Sequence, residues 1–371
     1  MLESPFPIVT VEGDPYACGE QHGVQAKRLI RHNIDYYLGL WRRCLGLSRS
    51  QVLAKAAEFV EPIRAFDADL LEEMRGVADG VGVSLEEVIA VNSRYELVWS
   101  QMSRGGCTAL AALPEATASG HTLLAQNWDY KVGVRDHCIL LEVKQEGKPS
   151  VVMHTEAGII GHKGLNSEGI GLTVNAMVSD RDRFEPSVPF WLLCRRALNS
   201  RSLAEAMNVV LSTGRSVSSN LILAQAGGAA VDLESTPLDV SIITPEKGIL
   251  VHTNHFVGQR SLSVKDEFVK TFSHSIYRYS RAKASLERMS GSLSTESFKE
   301  VLRDHFGRPY SICAHEDPNV EEDYRGETLA SIIFDLETRN IFITKGPPCK
   351  GPYHRLNFPS LMPSQTTRKA L

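Results

Sequence analysis

The stretch RGGCTALAAL, residues 104–113, separates two parts of the chain that differ in character. Before it, apolar residues recur with the 3.6-residue spacing of helices that bury one face. After it, to about residue 246, short apolar and β-branched runs alternate with turn residues, which is typical of strands. The sequence therefore predicts a helical N-terminal segment followed by a body rich in β-sheet.

Helix start signals support the first part of this division. Asp14 followed by Pro15 begins a helix whose apolar stripe continues from Tyr16 to Leu45, and a second helical run covers about residues 51–77. Ser84 with Glu87 three residues later has the pattern of a capping box, which predicts a third helix.

The order of the later segments indicates the fold class. Gly227-Gly228 has the length of a two-residue hairpin loop. Further helices are predicted at 190–198, 202–211, 275–289 and 294–305, and closing strands at 328–336 and 340–346. Helices, antiparallel strands, embedded helices and final strands in this order suit two stacked sheets covered by helices. We therefore expect one α+β body with four layers, αββα.

Composition excludes several classes of protein. The 40 basic and 44 acidic residues are intermixed and give a net charge of −4, so nucleic acid is not an expected partner. The N-terminus does not look like a secretory signal, and the chain contains no uninterrupted apolar run long enough for a membrane span. Seven dispersed cysteines without a CxxC pair favour a reduced, cytoplasmic protein with no metal site.

Cys107 is the first candidate for chemistry because it follows two glycines at the boundary between the two parts. Glycine leaves its carbonyl open to attack, so the Cys107 sulfur could displace its own backbone nitrogen from Gly106. Hydrolysis of the resulting thioester would leave a thiol and an α-amine on one residue, and the amine could act as the base for the thiol. From spacing alone, a tight turn with a small buried cysteine remains the commoner interpretation.

Polar residues at strand ends are the candidates for supporting roles. Asp129, at the end of a mainly apolar strand, could orient the Cys107 amine. Asn254 could donate its side-chain NH2 to an oxyanion, and Asn175 is a competing candidate for that role. Ser235, beside a predicted hairpin, could hydrogen-bond the nucleophile or the leaving group. An ordinary turn or loop role is the alternative for each carboxyl or amide residue.

Other patterns are weaker. His252 and His255 at a strand end lack a nearby third ligand, so we do not interpret them as a metal pair. The glycine-rich stretch 158–171 has no phosphate-binding motif, and the chain has no GxSxG elbow. The remaining cysteines are interpreted as packing residues, namely Cys18, Cys44, Cys138, Cys194, Cys313 and Cys349.

Taken together, these motifs resemble the acyl-coenzyme A:6-aminopenicillanic acid acyltransferase family over nearly the whole chain. The resemblance is carried, in order, by GDPYACGEQHG, GGCT, QNWDY, GHKGLNSEGIGLTVNAM, ESTP, HTNHF, RYSRAK and TLASIIFDLETRNIFITKGPPC.

The resemblance implies the αββα fold of N-terminal-nucleophile hydrolases and self-cleavage between Gly106 and Cys107. The two fragments, residues 1–106 and 107–371, would stay together as a heterodimer in one folded body. Cys107 would be the nucleophile, Asp129 the motif acid, Asn254 the oxyanion residue and Ser235 a serine near the nucleophile. The match favours a nucleophile over a plain turn at Cys107.

The function expected from the resemblance is an acyltransferase or amidohydrolase that acts on an amide or thioester of a small amine through an acyl-Cys107 intermediate. A pure hydrolase of N-acyl amines, such as a β-lactam or a biogenic-amine amide, would act without coenzyme A. An unprocessed binding module is the non-enzyme alternative. No cofactor is expected, and acyl-CoA is a candidate substrate.

The expected partners are a small-molecule acyl donor, an amine or water as acceptor, and the chain's own N-terminal fragment.

Two departures from the family pattern stand out. Lys369-Ala370-Leu371 differs from the peroxisomal signal of the fungal penicillin enzymes, which favours the cytoplasm. Gly105 stands where those enzymes have an acid, so the processing rate and the substrate are expected to differ.

Overall fold

Two β-sheets stacked face to face form the centre of the computed structural model, which describes residues 3–98, 106–183, 185–258 and 264–362. The described strands are β1 (Ile8–Gly13), β2 (Thr108–Ala112), β3 (Leu123–Lys131), β4 (Cys138–Gln145), β5 (Val151–Glu156), β6 (Gly164–Asn166), β7 (Ile170–Ala176), β8 (Ser219–Gln225), β9 (Ala229–Ser235), β10 (Val240–Ile243), β11 (Ile249–His252), β12 (Gly326–Asp335), β13 (Asn340–Lys345) and β14 (His354–Asn357).

Within these residue ranges, sheet A has the order β1-β4-β5-β6-β7-β8-β9-β10 and sheet B the order β11-β2-β3-β12-β13-β14. β1 runs parallel to β4, whereas the other described pairings are antiparallel. The two sheets meet where β2 and β3 pack on β7 and where β11 packs on β9.

Helices cover both outer faces of this pair of sheets. The described helices are α1 (Pro15–Gln25), α2 (Lys27–Leu45), α3 (Arg49–Ala57), α4 (Val60–Phe66), α5 (Ala68–Val81), α6 (Leu85–Asn92), α7 (Arg94–Val98), α8 (Phe190–Leu198), α9 (Leu203–Ser212), α10 (Phe268–Thr271), α11 (His274–Arg288) and α12 (Thr295–Leu302). α8 and α9 pack on sheet A, and α11 and α12 pack on sheet B. The fold is therefore the four-layer αββα arrangement, as expected.

Local signals in the sequence explain most helix boundaries. The Ser84 hydroxyl accepts the Glu87 N–H while the Glu87 side chain accepts the Ser84 N–H, so the predicted capping box is confirmed. The helical run predicted over residues 51–77 is divided into α3, α4 and α5. Asp67 causes the last break because its backbone is extended and its carboxylate caps α5.

The N-terminal helices join the rest of the body through close packing and a buried ion pair. A Cβ added at Gly19 of α1 would lie 1.9 Å from the Glu73 carbonyl oxygen of α5, so only glycine allows this approach. The Glu73 carboxylate in turn receives two hydrogen bonds of 2.9 Å from Arg195 of α8. The main apolar core contains residues from both sides of Gly106, so the two expected fragments share one interior.

Three further expectations were wrong in detail. The loop between the paired residues Gln225 and Ala229 holds three residues, Ala226 as well as the two glycines, rather than two. β3 continues to Lys131, so Asp129 lies inside the strand rather than at its end. Strand β1 was not predicted, and it makes one pairing parallel where only antiparallel strands were expected.

None of the helices in the described part of the chain combines the length and the apolar character that a membrane span requires. Gly105 and the terminal Lys369-Ala370-Leu371 lie outside the described residues.

Candidate active site

Cys107 lies in the interior, 6% exposed, directly before β2, which lies between β11 and β3 in sheet B. Antiparallel pairing of β2 with β3 places Thr108 opposite Asn127, so Cys107 lies beside the part of β3 that carries Asp129. The carboxyl group and the backbone N–H of Asp129 both lie close enough to the thiol to shift its pKa. The structure thus brings the predicted nucleophile and the predicted acid together.

The backbone nitrogen of Cys107 has a defined acceptor. Its N–H donates to Oδ1 of Asn254 at 2.8 Å. Asn254 follows β11, the strand that pairs with β2 on the side opposite β3. Its own N–H donates to the Ser275 hydroxyl at 2.9 Å, and its Nδ2 donates to the Ala176 carbonyl at 2.9 Å. These contacts fix the amide with its oxygen towards Cys107.

Arg278 of α11 is a member of this site that sequence reasoning missed. Its buried guanidinium donates to the Cys107 carbonyl oxygen at 2.7 Å, to the Thr108 hydroxyl at 3.0 Å and to Asn254 Oδ1 at 2.8 Å. A Cβ on Gly106 would lie 2.3 Å from Nη2 of Arg278, so only glycine leaves enough room for the guanidinium in this position. The guanidinium therefore clamps the backbone on the Cys107 side of the Gly106–Cys107 bond, directly at the Cys107 carbonyl and through Asn254 at the Cys107 nitrogen.

Burial dominates the electrostatics of the nucleophile and the acid. It raises the pKa of the Cys107 thiol to about 11; the nearby Asp129 adds to the shift, while Lys163 and Arg278 act against it. Burial also raises the pKa of Asp129 to about 8, against the opposing effects of Arg278 and of the 2.6 Å hydrogen bond from the Thr328 hydroxyl. The unprocessed thiol is therefore neutral at physiological pH and needs a base.

Lys163 is a second buried cation that sequence reasoning did not identify. Its ammonium lies 4.2 Å from the centre of the Trp128 ring, and burial lowers the pKa of Lys163 to about 7. The lysine lies in the segment GHKG, where only a phosphate-binding role was considered and set aside. The lysine belongs to a string that carries the family resemblance, which is the signal that could have marked it, but spacing alone does not show that a lysine is buried.

Ser235 and Asn175 are bonded elsewhere in the interior. The Ser235 hydroxyl lies 2.8 Å from the Ser219 hydroxyl and donates to the Ser219 carbonyl at 3.0 Å, across the β8–β9 pairing of sheet A. Asn175 donates to Asn220 at 2.7 Å. Of the two asparagine candidates, Asn254 is the one in direct contact with Cys107. The role of Ser235 stays a prediction.

The two histidines considered as a metal pair bond to different partners. The ring nitrogens of His252 contact Glu234 and the Thr253 carbonyl, both at 2.9 Å. Burial disfavours protonation of His252, but Asp232 and Glu234 outweigh it and raise the pKa to about 9. His255 Nδ1 contacts the hydroxyl groups of Thr253 and Ser275. His252 is therefore a buried cation in an ion pair.

A cleft of about 490 Å³ lies beside the clamp. Its wall includes His274, whose Nδ1 accepts a hydrogen bond from Nε of Arg278 at 3.2 Å, and the stacked ring of Tyr310. Phe272 and Tyr277 add further aromatic surface. Pockets of this size and lining suit small organic molecules.

The chain is similar in sequence to known acyltransferases. The family model described as acyl-coenzyme A:6-aminopenicillanic acid acyl-transferase matches residues 116–349. The acyl-coenzyme A:6-aminopenicillanic-acid-acyltransferase 40 kDa form of Emericella nidulans is 30% identical over 342 residues, which cover 92% of each chain.

Two solved structures are also similar. A variant of the conjugated bile acid hydrolase of Clostridium perfringens is 13% identical, with 70% of this chain and 98% of that chain covered and a TM-score of 0.46. The Caenorhabditis elegans N-acylethanolamine-hydrolyzing acid amidase ortholog is 17% identical, with 62% and 93% covered and a TM-score of 0.43.

Proposed function

Because the chain belongs to the acyl-coenzyme A:6-aminopenicillanic acid acyl-transferase family, an enzyme family of acyl transfer and C–N amide chemistry, we propose that Cys107 is its nucleophile and is released by self-cleavage after Gly106. The observation that carries this proposal is the set of bonds around the Gly106–Cys107 peptide. Asn254 holds the nitrogen of this peptide, and Arg278 holds the Cys107 carbonyl.

The cleavage first exchanges the amide bond for a thioester, and the thioester is then hydrolysed. The Cys107 sulfur attacks the Gly106 carbonyl carbon, the C–S bond forms, the C–N bond breaks, and the thiol proton passes to the Cys107 nitrogen. Water then breaks the thioester and leaves a Gly106 carboxylate, a Cys107 thiol and a free α-amine.

The same contacts suit the cleaved enzyme. Asn254 Oδ1 already accepts from the Cys107 nitrogen, so it would hold the new amine next to the sulfur of the same residue. The Arg278 cation and the buried surroundings would both disfavour protonation of the amine, whose ordinary pKa is about 7.7–8.0. A neutral amine can take the thiol proton, which explains how a thiol whose pKa is raised by burial would be activated.

In turnover, the Cys107 sulfur would attack the carbonyl carbon of an amide or thioester and expel the amine or thiol, which takes up the proton from the α-amine. Backbone N–H groups and the second hydrogen of Asn254 Nδ2 would bind the oxyanion. An amine or water would then take the acyl group from sulfur. Acyl-CoA is a candidate acyl donor. The aromatic cleft beside Arg278 is the candidate binding site for the acyl or the amine part of the substrate.

The test compares the wild-type chain with Cys107→Ala on a denaturing gel, with the N-terminal residue of each band determined. We expect two wild-type fragments, the larger beginning at Cys107, and one intact Cys107→Ala chain. Cys44→Ser, which changes a cysteine outside the site, is the control and should mature normally. An intact wild-type chain, or cleavage of Cys107→Ala at the same bond, would reject the proposal.

A second experiment separates transfer from hydrolysis. The processed enzyme is given an N-acyl amine alone and then together with a second amine. Free acid in both cases indicates hydrolysis, and formation of the exchanged amide indicates acyl transfer. The family relationship favours exchange.

A further inference from the structure

A cluster of two cysteines and two histidines lies on the outer side of sheet B. His305 follows α12, Cys313 and His315 lie in the segment that leads to β12, and Cys349 follows β13. Cys313 and His315 are buried, whereas His305 and Cys349 reach the surface. Packing does not explain Cys349, because its side chain is exposed.

The distances from His315 Nε2 to the other three ligand atoms are close to those of a tetrahedral metal site. With zinc bonds of about 2.3 Å to sulfur and about 2.0–2.1 Å to nitrogen, two ligand atoms of a tetrahedron lie about 3.3–3.8 Å apart. His315 Nε2 lies 3.2 Å from His305 Nε2, 3.6 Å from Cys313 Sγ and 3.5 Å from Cys349 Sγ. All four ligand atoms lie within 4.8 Å of one another.

Hydrogen bonding alone accounts poorly for this arrangement. A ring nitrogen of histidine either donates one hydrogen or accepts one, and a thiol is a weak partner in both roles. His315 Nε2 nevertheless faces three potential ligand atoms at once. Convergence of four ligand atoms on one point is what a bound cation requires.

We propose that His305, Cys313, His315 and Cys349 bind one zinc ion. Two thiolates and two neutral imidazoles form a common ligand set of structural zinc sites, and two thiolates balance the charge of Zn²⁺. Four protein ligands fill the tetrahedron and leave no position for substrate or water, so the ion is structural rather than catalytic. The exposed His305 and Cys349 give the ion a route of entry from solvent.

The zinc site would also stabilise the surroundings of Asp129. Ala314, which lies between two of the ligands, donates its N–H to the Thr328 hydroxyl at 3.0 Å and accepts the Thr328 N–H at 3.1 Å. The Thr328 hydroxyl donates to Asp129 at 2.6 Å. The metal would therefore fix the segment that positions Thr328 against the acid. The proposal does not depend on self-cleavage at Cys107.

The test measures zinc in the full-length chain, purified under reducing conditions from cells supplied with zinc. We expect about one zinc per chain in the wild type, in Cys107→Ala and in the control Cys44→Ser, and loss of most of it in Cys313→Ser and Cys349→Ser. Replacement of zinc by Co²⁺ should give thiolate-to-metal charge-transfer bands and the visible bands of tetrahedral cobalt. Cys349→Ser changes an exposed residue and keeps the test decisive if Cys313→Ser does not fold.

Three results would overturn the proposal. The first is a folded, reduced wild-type chain that holds no zinc and binds neither added Zn²⁺ nor Co²⁺. The second is full zinc content in both serine variants. The third is a disulfide between Cys313 and Cys349 in freshly isolated protein, found by peptide mapping before any reductant is added, which would identify the cluster as a redox pair.

Discussion

Replacement of Gly106 by alanine tests the clamp around the cleavage site. The added Cβ would lie 2.3 Å from Arg278 Nη2, 2.9 Å from its Cζ and 3.0 Å from Asn254 Oδ1. Ordinary contacts of this kind begin at 3.4 Å, so the guanidinium has to move by about 1 Å. This movement disrupts its bonds of 2.7 Å to the Cys107 carbonyl and 2.8 Å to Asn254.

A displacement of about 1 Å in a reacting geometry lowers a rate about 10²-fold, and we expect self-cleavage of Gly106→Ala to slow by that order. The assay follows the intact chain made by cell-free synthesis and measures the cleaved fraction on denaturing gels over time. Gly214→Ala is the matched control, because an added Cβ there meets nothing within 4 Å. A folded Gly106→Ala chain that matures at the wild-type rate would refute the reasoning.

Three further substitutions test the electrostatics and the asparagine. Burial raises the pKa of Asp129 to about 8, so the folded chain keeps a proton that the unfolded chain releases, and this site lowers stability as pH rises from about 4 to 8. Asp129→Asn should therefore be more resistant to urea than the wild type at about pH 8 but not at about pH 4; an equal difference at both values would contradict this. Burial lowers the pKa of Lys163 to about 7, so its effect on stability becomes less favourable as pH falls from about 10 to 7. Lys163→Met should raise the melting temperature at about pH 6, whereas Lys27→Met, which changes an exposed lysine, should not. A melting temperature of Lys163→Met below that of the wild type would contradict this prediction. Asn254→Ala should lower kcat of the processed fraction by about 10²–10³-fold; a larger loss in Asn175→Ala would transfer the oxyanion role to that residue.

Much of the fold follows from signals that act over a few residues. The Ser84 capping box and helix α8 were predicted with the correct positions because caps and helical periodicity depend on neighbours in the chain. The break at Asp67 was missed because a helix cap and an exposed helical acid look alike in the sequence. The parallel partner of β1 was missed because pairing with β4 depends on residues more than a hundred positions away.

The residues of the candidate site also divide into those that were predicted from the sequence and those that were missed. Glycines, strand positions and family motifs led to the prediction of Cys107, Asp129 and Asn254, and the structure places these three residues close together. Arg278 begins the family string RYSRAK and lies on the buried face of α11 with Ala282 and Leu286, but neither signal was used to give it a role in the site. The ligands of the proposed zinc site come from two separate segments, so a search for a CxxC pair could not find them.

The central claim is that one peptide bond must break before Cys107 can act. The most direct measurement follows one sample of freshly made chain by intact-mass spectrometry and by turnover of an N-acyl amine at the same time points. We predict that activity rises in proportion to the fragment that begins at Cys107 and that the intact chain is inactive. Full turnover by a chain still joined at Gly106–Cys107 would contradict the account.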